Sequence, residues 1–313
     1  MLALIFPGQG SQEVGMGREA FKASAAARAV FEAADRALGW SLSQVCFEGP
    51  EEELRRTEIQ QPALLTTSMA LLRGFEAEAG PLKADYLGGH SLGEYSALVA
   101  SGAMKFEDAV RTVHARGRFM QEAVAEGQGA MAAVMGCGPE IVREACEKVA
   151  HQRGEIVSPA NYNSPQQTVI AGEAAAVSAA CEMARELGAK RVAPLNVSAP
   201  FHCEMMAPAA RQLRSELEGV AFGAMAPPVV TNVEAKPNDD PSRIAEILVR
   251  QVTAPVRFTE MIASMKELGV THFLEVGAGR VLSGLLARID RRGQRANLSQ
   301  WGDVEDVREF LVS

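Results

Sequence analysis

The chain has 313 residues, enough to bury a sizeable core and to form one large domain or a large domain with a small one. Because 47% of the residues are hydrophobic and 22% are charged, the composition excludes a disordered protein and is typical of a globular one. The net charge of -8 argues against nucleic acid as a general partner.

The five cysteines are odd in number, are scattered along the chain and include no Cys-x-x-Cys pair. We therefore expect reduced thiols, a cytoplasmic location and no metal site. The apolar run at residues 2–6 is too short for a signal peptide and has no basic residue before it. No stretch approaches the length of a membrane span, so we expect no membrane partner.

The first part of the chain alternates strand-like and helix-like patterns. Residues 2–6 are all apolar, as in a buried parallel strand. The glycine-rich segment 7–12 ends this strand, and its backbone N–H groups can face a ligand. The elements that follow are helical patterns at 18–38 and 61–79, a strand-like stretch at 84–87 and a helix-forming stretch at 94–100. This alternation predicts an α/β layered core.

The middle of the chain has a different order of elements. They are a strand at 130–135, a helix at 139–151, strands at 156–162 and 167–171 joined by a turn at 163–165, a helix at 174–187 and a strand at 190–197. This is the ferredoxin-like order. We predict a small ferredoxin-like subdomain over residues 128–197, inserted into a large α/β subdomain made of residues 1–127 and 198–313.

A candidate nucleophile, Ser91, lies in the run Gly89-His90-Ser91-Leu92-Gly93 between a predicted strand and a predicted helix. This context is typical of a nucleophile elbow, a sharp strand-to-helix turn that exposes a serine. Glycines suit the positions two before and two after the serine, because the strand end and the first helical turn nearly touch. The backbone N–H of Leu92 can then donate to an oxyanion. The alternative is a glycine-rich turn whose serine only caps the helix.

A serine hydroxyl needs a base, and the chain has five histidines. His90 adjoins the serine and should point away from its hydroxyl. His114 fits a helix face, His151 fits a helix end and His272 fits a strand. His202 instead follows a loop of proline and small residues and precedes a helix, as general bases often do. We therefore predict an active-site cleft between the two subdomains, with Ser91 and His202 facing it.

Several motifs recur in one order across nearly the whole chain. They occupy residues 6–12, 61–63, 89–94, 116–117 with 120–121, 161–165, 198–203 and 275–277. Together they resemble the malonyl-CoA:acyl carrier protein transacylases of bacterial fatty-acid synthesis, which have relatives in polyketide synthases. The resemblance implies a hydrolase-like core in the large subdomain, a monomer, no cofactor and no metal.

The resemblance also implies a mechanism. Ser91 attacks the thioester of malonyl-CoA to form a malonyl-enzyme ester, and the phosphopantetheine thiol of acyl carrier protein then collects the malonyl group. His202 is the base and afterwards protonates the departing thiolate. The backbone N–H of Gln9 joins that of Leu92 in the oxyanion hole. No Asp or Glu stands out as the partner of His202, and the resemblance gives this role to the backbone carbonyl of Gln251.

Specificity for malonyl needs a cation for its free carboxylate. Arg111, Arg116 and Arg118 share one predicted helix, and their positions alone do not choose among them. The family motif selects Arg116, whose guanidinium can bind the carboxylate through two hydrogen bonds. Phe201 replaces the serine usual in fatty-acid enzymes and is similar to malonyl-selective polyketide acyltransferases, so it should crowd out an α-methyl branch.

Further contacts follow from the resemblance and from the charge pattern. The substrate contacts that the resemblance implies are Gln61, Asn161 and Asn163. Carrier proteins are acidic, so docking on this acidic chain needs a local basic patch. The candidates for it are Lys190, Arg191, Arg280 and Arg288, with Arg291, Arg292 and Arg295 near the C-terminus.

Two other classes of function share these residues. A serine thioesterase or esterase would have the same elbow and histidine but would pass the acyl group to water. A non-catalytic carrier-binding module would form no covalent adduct. The sequence leaves open which pathway and which carrier protein the chain serves.

Overall fold

The computed structural model describes residues 1–312. The first part of the chain builds half of a layered α/β core. Its elements are β1 (Leu2–Phe6), α1 (Arg18–Ala23), α2 (Ala25–Leu38), α3 (Leu42–Glu48), α4 (Glu51–Leu54), α5 (Thr57–Ala79), β2 (Tyr86–Gly89), α6 (Gly93–Ala100) and α7 (Phe106–Glu122).

The middle of the chain forms a separate antiparallel sheet with two helices. Its elements are β3 (Gly129–Met135), α8 (Pro139–Arg153), β4 (Val157–Ser164), β5 (Gln167–Glu173), α9 (Ala174–Glu186) and β6 (Arg191–Pro194). The strand order is β4-β5-β3-β6, with every pair antiparallel. This is the order of a ferredoxin-like sheet.

The last part of the chain completes the large core. Its elements are α10 (Ala207–Leu217), β7 (Val229–Val230), β8 (Pro237–Asn238), α11 (Ile244–Thr253), α12 (Phe258–Glu267), β9 (His272–Val276), α13 (Val281–Ile289), β10 (Gln294–Leu298) and α14 (Val304–Val312). The six strands of the large sheet have the order β10-β9-β1-β2-β7-β8. All neighbours are parallel except β7 and β8. The predicted fold class, an α/β layered core with a small inserted subdomain, is confirmed.

The side chains of β1 show how the large sheet is buried. Successive side chains of a strand point to opposite faces. Leu4 and Phe6 join the apolar core on one face, and Ala3 and Ile5 join the core on the other. The small sheet has an apolar core of its own with α8 and α9. Both faces of the central strand are therefore covered by helices, as expected for a parallel sheet.

The two sheets are joined beside the site. The backbone N–H of Tyr162 in β4 donates to the carbonyl of Val256 at 2.9 Å, and the N–H of Val256 donates to the carbonyl of Ala160 at 2.9 Å. The segment that follows α11 thus continues the edge of the small sheet.

Several boundaries differ from the sequence prediction. The helix predicted over 18–38 is interrupted at Ser24, whose backbone is extended and whose hydroxyl accepts from the N–H of Ala27 to begin α2. The helix predicted from residue 61 begins at Thr57 and contains Pro62. Because proline has no N–H, the carbonyl of Glu58 has no helical donor, and the ring of His114 donates to it at 2.9 Å. Across residues 1–312, no helix combines the length and the hydrophobicity that a membrane span requires.

Candidate active site

Ser91 lies in the turn between β2 and α6, at the carboxyl edge of the large sheet. Its φ of 51° is in the left-handed region, which is uncommon for a residue with a Cβ. A Cβ at Gly89 would lie 2.2 Å from the backbone carbon of Gly93, and a Cβ at Gly93 would lie 2.0 Å from the carbonyl oxygen of Phe6. The two glycines therefore permit the close contact of strand, turn and helix that the elbow requires.

His202 contacts Ser91 directly. Its Nε2 is 2.8 Å from Ser91 Oγ, and its Nδ1 is 2.8 Å from the carbonyl oxygen of Gln251. Because a carbonyl can only accept, Nδ1 carries the proton and Nε2 accepts from the serine hydroxyl. Burial, followed by the charge of Arg116, lowers the pKa of His202 to about 3. The imidazole is therefore neutral around pH 7, the form that can take a proton from Ser91.

Arg116, on α7, is 1% exposed and lies behind the serine. Its Nη2 donates to Ser91 Oγ at 3.1 Å and to Gln251 Oε1 at 2.9 Å, and its Nη1 donates to Gln61 Oε1 at 2.6 Å. Its Nε has no hydrogen-bond acceptor among residues 1–312. The guanidinium thus brings a buried positive charge beside the nucleophile.

The other two arginines of α7 lie elsewhere. Arg111 is exposed and forms an ion pair with Asp108 at 2.6 Å. Arg118 is exposed, with its guanidinium 5.4 Å from the ring centre of Phe119. Burial therefore separates Arg116 from the two alternatives that the sequence left open.

The loop after β1 packs against the elbow. A Cβ at Gly8 would lie 2.4 Å from the carbonyl oxygen of His90, and the N–H of His90 donates to the carbonyl of Phe6 at 3.0 Å. In the described part of the chain, the backbone N–H groups of Gln9 and Leu92 donate to no protein acceptor. Two free amide donors are thus available in segments that meet at the serine.

A cleft of about 470 Å³ opens at Ser91 and His202. Gln9, Asn161 and Phe201 line it, together with residues 195–198 of the loop that leads to His202. The cleft is bordered by the large core and by strand β4 of the small sheet. Most of the residues that line it are polar, Gln60 and Arg55 among them, and Met131, Leu195 and Phe201 contribute apolar surface.

Gln61 and Asn163 lie behind this cleft rather than along it. Gln61 is fully buried and accepts from Arg116. Asn163 Oδ1 accepts from Nε2 of His90 at 2.8 Å. Both side chains therefore contact other site residues, and His90 points away from the serine hydroxyl toward the small sheet.

Sequence reasoning missed two buried polar residues, Glu94 and Asn232. The backbone N–H of Asn232 donates to Glu94 Oε2 at 2.9 Å, and the N–H of Ser91 donates to Asn232 Oδ1 at 2.7 Å. The side chain of Gln251, which the sequence singled out only for its carbonyl, donates to Glu94 Oε2 at 2.8 Å. The signal for Glu94 was an acidic residue in an otherwise apolar helix, whereas no local pattern marked Asn232.

The basic residues considered for carrier docking lie in different surroundings. A groove between the small sheet and α13 is lined by Gly136 and Arg288, among others, and the side chain of Lys190 packs against Gly136. Arg288 donates to Gln167 Oε1 at 2.8 Å. Arg191 is exposed in β6, and Arg280 forms an ion pair with Asp303 at 3.3 Å. The structure thus places Arg288 and Arg291 along this groove, with Lys190 beside it.

Known proteins that are similar to this chain in sequence or in fold all indicate one family. The model of the acyl transferase domain matches residues 3–295. The chain is 48% identical over 291 residues to the malonyl CoA-acyl carrier protein transacylase of Bacillus subtilis (strain 168), which covers 93% of this chain and 91% of that relative.

Solved structures agree with the sequence relatives. The malonyl CoA-acyl carrier protein transacylase of Coxiella burnetii has a TM-score of 0.96 and 40% identity, covering 100% of this chain and 98% of that one. A malonyl-transacylase in complex with its type II PKS acyl-carrier protein has a TM-score of 0.94 and 44% identity, covering 98% of this chain and 99% of that one. The chain therefore belongs to the acyl transferase family, among the malonyl CoA-acyl carrier protein transacylases.

Proposed function

We propose that this chain transfers a malonyl group from malonyl-CoA to the phosphopantetheine thiol of acyl carrier protein through an ester on Ser91. The observation that carries the proposal is the buried contact of Ser91 Oγ with both a neutral imidazole at 2.8 Å and a guanidinium at 3.1 Å. The first contact supplies a base, and the second supplies a cation for the carboxylate that distinguishes malonyl from acetyl. One of the related structures is itself a complex of a malonyl-transacylase with acyl-carrier protein.

The first half-reaction forms the ester. Ser91 Oγ attacks the thioester carbonyl while His202 Nε2 takes the hydroxyl proton, and the backbone N–H groups of Gln9 and Leu92 donate to the oxyanion. Collapse of the tetrahedral intermediate breaks the C–S bond, and His202 returns the proton to the departing sulfur of coenzyme A. Each oxyanion donor contributes about 3–4 kcal/mol to the lowering of the barrier.

The second half-reaction is the reverse with a new thiol. The phosphopantetheine thiol gives its proton to His202 and attacks the ester carbonyl, and Ser91 leaves with the proton that His202 holds. The carbonyl of Gln251 keeps the imidazole in the required tautomer throughout. A carbonyl stabilises an imidazolium less than a carboxylate does, and thioesters are reactive enough to tolerate this.

Donor selection follows from two side chains. Arg116 pairs with the malonyl carboxylate through its guanidinium, whose Nη2 lies 3.1 Å from Ser91 Oγ. Phe201 is 5% exposed and lines the cleft beside His202. Its ring leaves little room for an α-methyl branch, and discrimination by such a contact is worth about 1–3 kcal/mol.

Carrier docking is proposed at the groove between the small sheet and α13. Lys190 and Arg288 lie beside it and carry the charge that an acidic carrier protein needs. The other predicted docking residues, Arg191 and Arg280, remain part of this proposal, although the charge of Arg280 is already paired with Asp303.

Two expectations accompany this function as predictions. The cytoplasmic location is supported by five cysteines that are all free and buried, as in proteins of reducing compartments. The monomeric state follows from the resemblance and is tested by sedimentation velocity.

The proposed function is tested by intact mass spectrometry. After mixing with malonyl-CoA, we expect the wild-type chain to gain the mass of one malonyl group and to lose it when acyl carrier protein with its phosphopantetheine arm is added. The Ser91→Ala variant should gain no mass. Loss of the adduct to water without carrier protein would indicate a thioesterase, and the absence of an adduct in the wild type would indicate a binding module.

A further inference from the structure

A buried carboxylate, Glu94, lies beneath the nucleophile although no step of the proposed reaction uses it. Glu94 is the second residue of α6, three residues after Ser91, and is 1% exposed. Its Oε2 accepts from the backbone N–H of Asn232 at 2.9 Å and from Gln251 Nε2 at 2.8 Å. A buried carboxylate costs free energy unless it is hydrogen-bonded, so its retention here calls for a role.

The orientation of the Gln251 amide depends on this carboxylate. An ionised carboxylate can only accept, and a guanidinium can only donate. Gln251 lies between them, donating from Nε2 to Glu94 and accepting at Oε1 from Arg116 at 2.9 Å. If the amide were flipped, its Oε1 would face the carboxylate of Glu94, which is also an acceptor, and its Nε2 would face the guanidinium of Arg116, which is also a donor. Glu94 and Arg116 therefore fix the amide in one orientation, and the amide in turn aims the guanidinium.

The same groups hold the main chain of the nucleophile. Gln251 Nε2 also donates to the carbonyl oxygen of Ser91 at 3.0 Å, and Asn232 Oδ1 accepts from the N–H of Ser91 at 2.7 Å. Asn232 Nδ2 donates to the carbonyl of Gly89 at 2.7 Å. Both polar groups of the strained serine peptide are thus fixed by the side chains of Gln251 and Asn232. Gln251 donates to Glu94 through its side-chain amide and Asn232 through its backbone N–H.

We propose that Glu94 is a positioning residue of the transfer reaction, which acts through the side-chain amide of Gln251 and the backbone amide of Asn232 to fix the peptide of Ser91 and to aim Arg116 at the donor carboxylate. The inference rests on the proposed malonyl transfer and adds a determinant of its donor specificity. Glu94 touches neither substrate nor reacting atom, so its effect reaches the reaction only through these amides.

Charge supports the same role. No carboxylate lies within ion-pair distance of Arg116 among residues 1–312, and Glu94 is the acid joined to it through a single amide. Burial raises the pKa of Glu94 to about 7, the hydrogen bonds from Asn232 and Gln251 and the charge of Arg116 oppose this rise, and the charge of Glu234 adds to it. The pKa of Glu94 is therefore close to pH 7. Protonation would give the carboxyl group an O–H donor, so that it would no longer be an acceptor only.

The test compares donors rather than absolute rates. In the Glu94→Gln variant the side chain keeps its shape but can both donate and accept, so it no longer fixes the amide of Gln251. We expect the ratio of kcat/KM for malonyl-CoA to kcat/KM for acetyl-CoA to fall about 10- to 100-fold, the effect of one hydrogen bond to a charged group. A ratio measured on one preparation is independent of how much of it is folded.

A matched control is Glu275→Gln. Glu275 is also fully buried and accepts from the N–H groups of Leu282 and Ser283 at 3.0 and 2.7 Å, away from the serine. This variant should lose stability and keep the wild-type donor ratio. A loss of ratio in both variants would show that a buried glutamate acts only through overall stability, and would overturn the proposal.

A second variant tests the route of the effect. Gln251→Leu removes the amide between Glu94 and Arg116 and keeps the backbone carbonyl that accepts from His202. We expect the same fall in the donor ratio, with no further fall in the double variant, since both changes break one connection. A Glu94→Gln ratio within about twofold of wild type, or additive losses in the double variant, would overturn the proposal. If the wild type itself transfers no malonyl group, it is the proposed function that fails.

Discussion

Replacing Arg116 with alanine should remove most of the preference for malonyl over acetyl donors. In the free protein the guanidinium already holds three acceptors, Gln61 Oε1, Gln251 Oε1 and Ser91 Oγ. With malonyl bound, the guanidinium would pair with the donor carboxylate through two N–H groups. Alanine removes these bonds and leaves the carboxylate of the donor in a buried site without a countercharge.

The size of the effect follows from the number of bonds lost. Two charge-assisted hydrogen bonds to the carboxylate contribute about 1.5–3 kcal/mol each, which corresponds to a roughly 10²- to 10⁴-fold loss in kcat/KM for malonyl-CoA. Acetyl-CoA has no carboxylate and loses only the bond from Arg116 to Ser91 Oγ, about 1.5–3 kcal/mol, a loss that malonyl-CoA shares and that cancels in the donor ratio. The lysine variant keeps a charge but cannot form two parallel hydrogen bonds, so its donor ratio should lie in between.

The assay measures kcat/KM for both donors with the same acceptor thiol. Arg111→Ala is the matched control, because Arg111 is an exposed arginine of the same helix that pairs with Asp108. It should leave the donor ratio unchanged. An Arg116→Ala variant with the wild-type ratio would refute the reasoning that this guanidinium recognises the carboxylate.

Three other predictions address the base, the elbow and the partner. Burial lowers the pKa of His202 to about 3 and raises that of Glu94 to about 7, so lowering the pH from about 8 to about 5.5 should protonate Glu94 and not His202. The ratio of kcat/KM for malonyl-CoA to that for acetyl-CoA in the wild type should then fall toward the ratio of Glu94→Gln. A ratio independent of pH would contradict this. A Cβ at Gly93 would lie 2.0 Å from the carbonyl oxygen of Phe6, so Gly93→Ala should lower the free energy of unfolding by about 3 kcal/mol or more. The control Gly284→Ala, whose Cβ would lie in open space on α13, should not lower it. Urea titration measures both variants. Added salt should raise the KM for acyl carrier protein and leave transfer to a small thiol unchanged, and equal sensitivity of both acceptors would exclude docking through charge.

The core of the site could be predicted because its signals are local. The elbow needs glycines at fixed positions around Ser91, and the loop before His202 is marked by proline and small residues. Among residues 1–312, three residues other than glycine have a positive φ, and two of them are the predicted Ser91 at 51° and His202 at 61°, the third being Ala235. Strain at both supports the view that the surrounding structure holds them in place for a purpose.

The structure explains why Arg116, and not Arg111 or Arg118, is buried. It lies three residues after Val113 and four before Met120, both buried, so it shares the buried face of α7. Arg111 and Arg118 are seven residues apart and share an exposed face. An arginine on the apolar face of a helix is uncommon enough to mark a site.

The buried hydrogen bonds around Glu94 could not be predicted in this way. Asn232 is separated from Glu94 by 138 positions and Gln251 by 157. No periodicity or spacing in the sequence tells which buried polar groups meet after folding. The start of α5 was missed for a similar reason, because the carbonyl that Pro62 leaves free is satisfied by His114 from another helix.

Locating the acyl group on the protein is the most direct test of the whole account. After brief mixing with malonyl-CoA and acid quenching, fragmentation of the peptide that spans residues 84–105 should place the malonyl group on Ser91 and not on Ser96 or Ser101. A malonyl group on any other residue, or one that persists in the Ser91→Ala variant, would contradict the assignment of the nucleophile and the mechanism built on it.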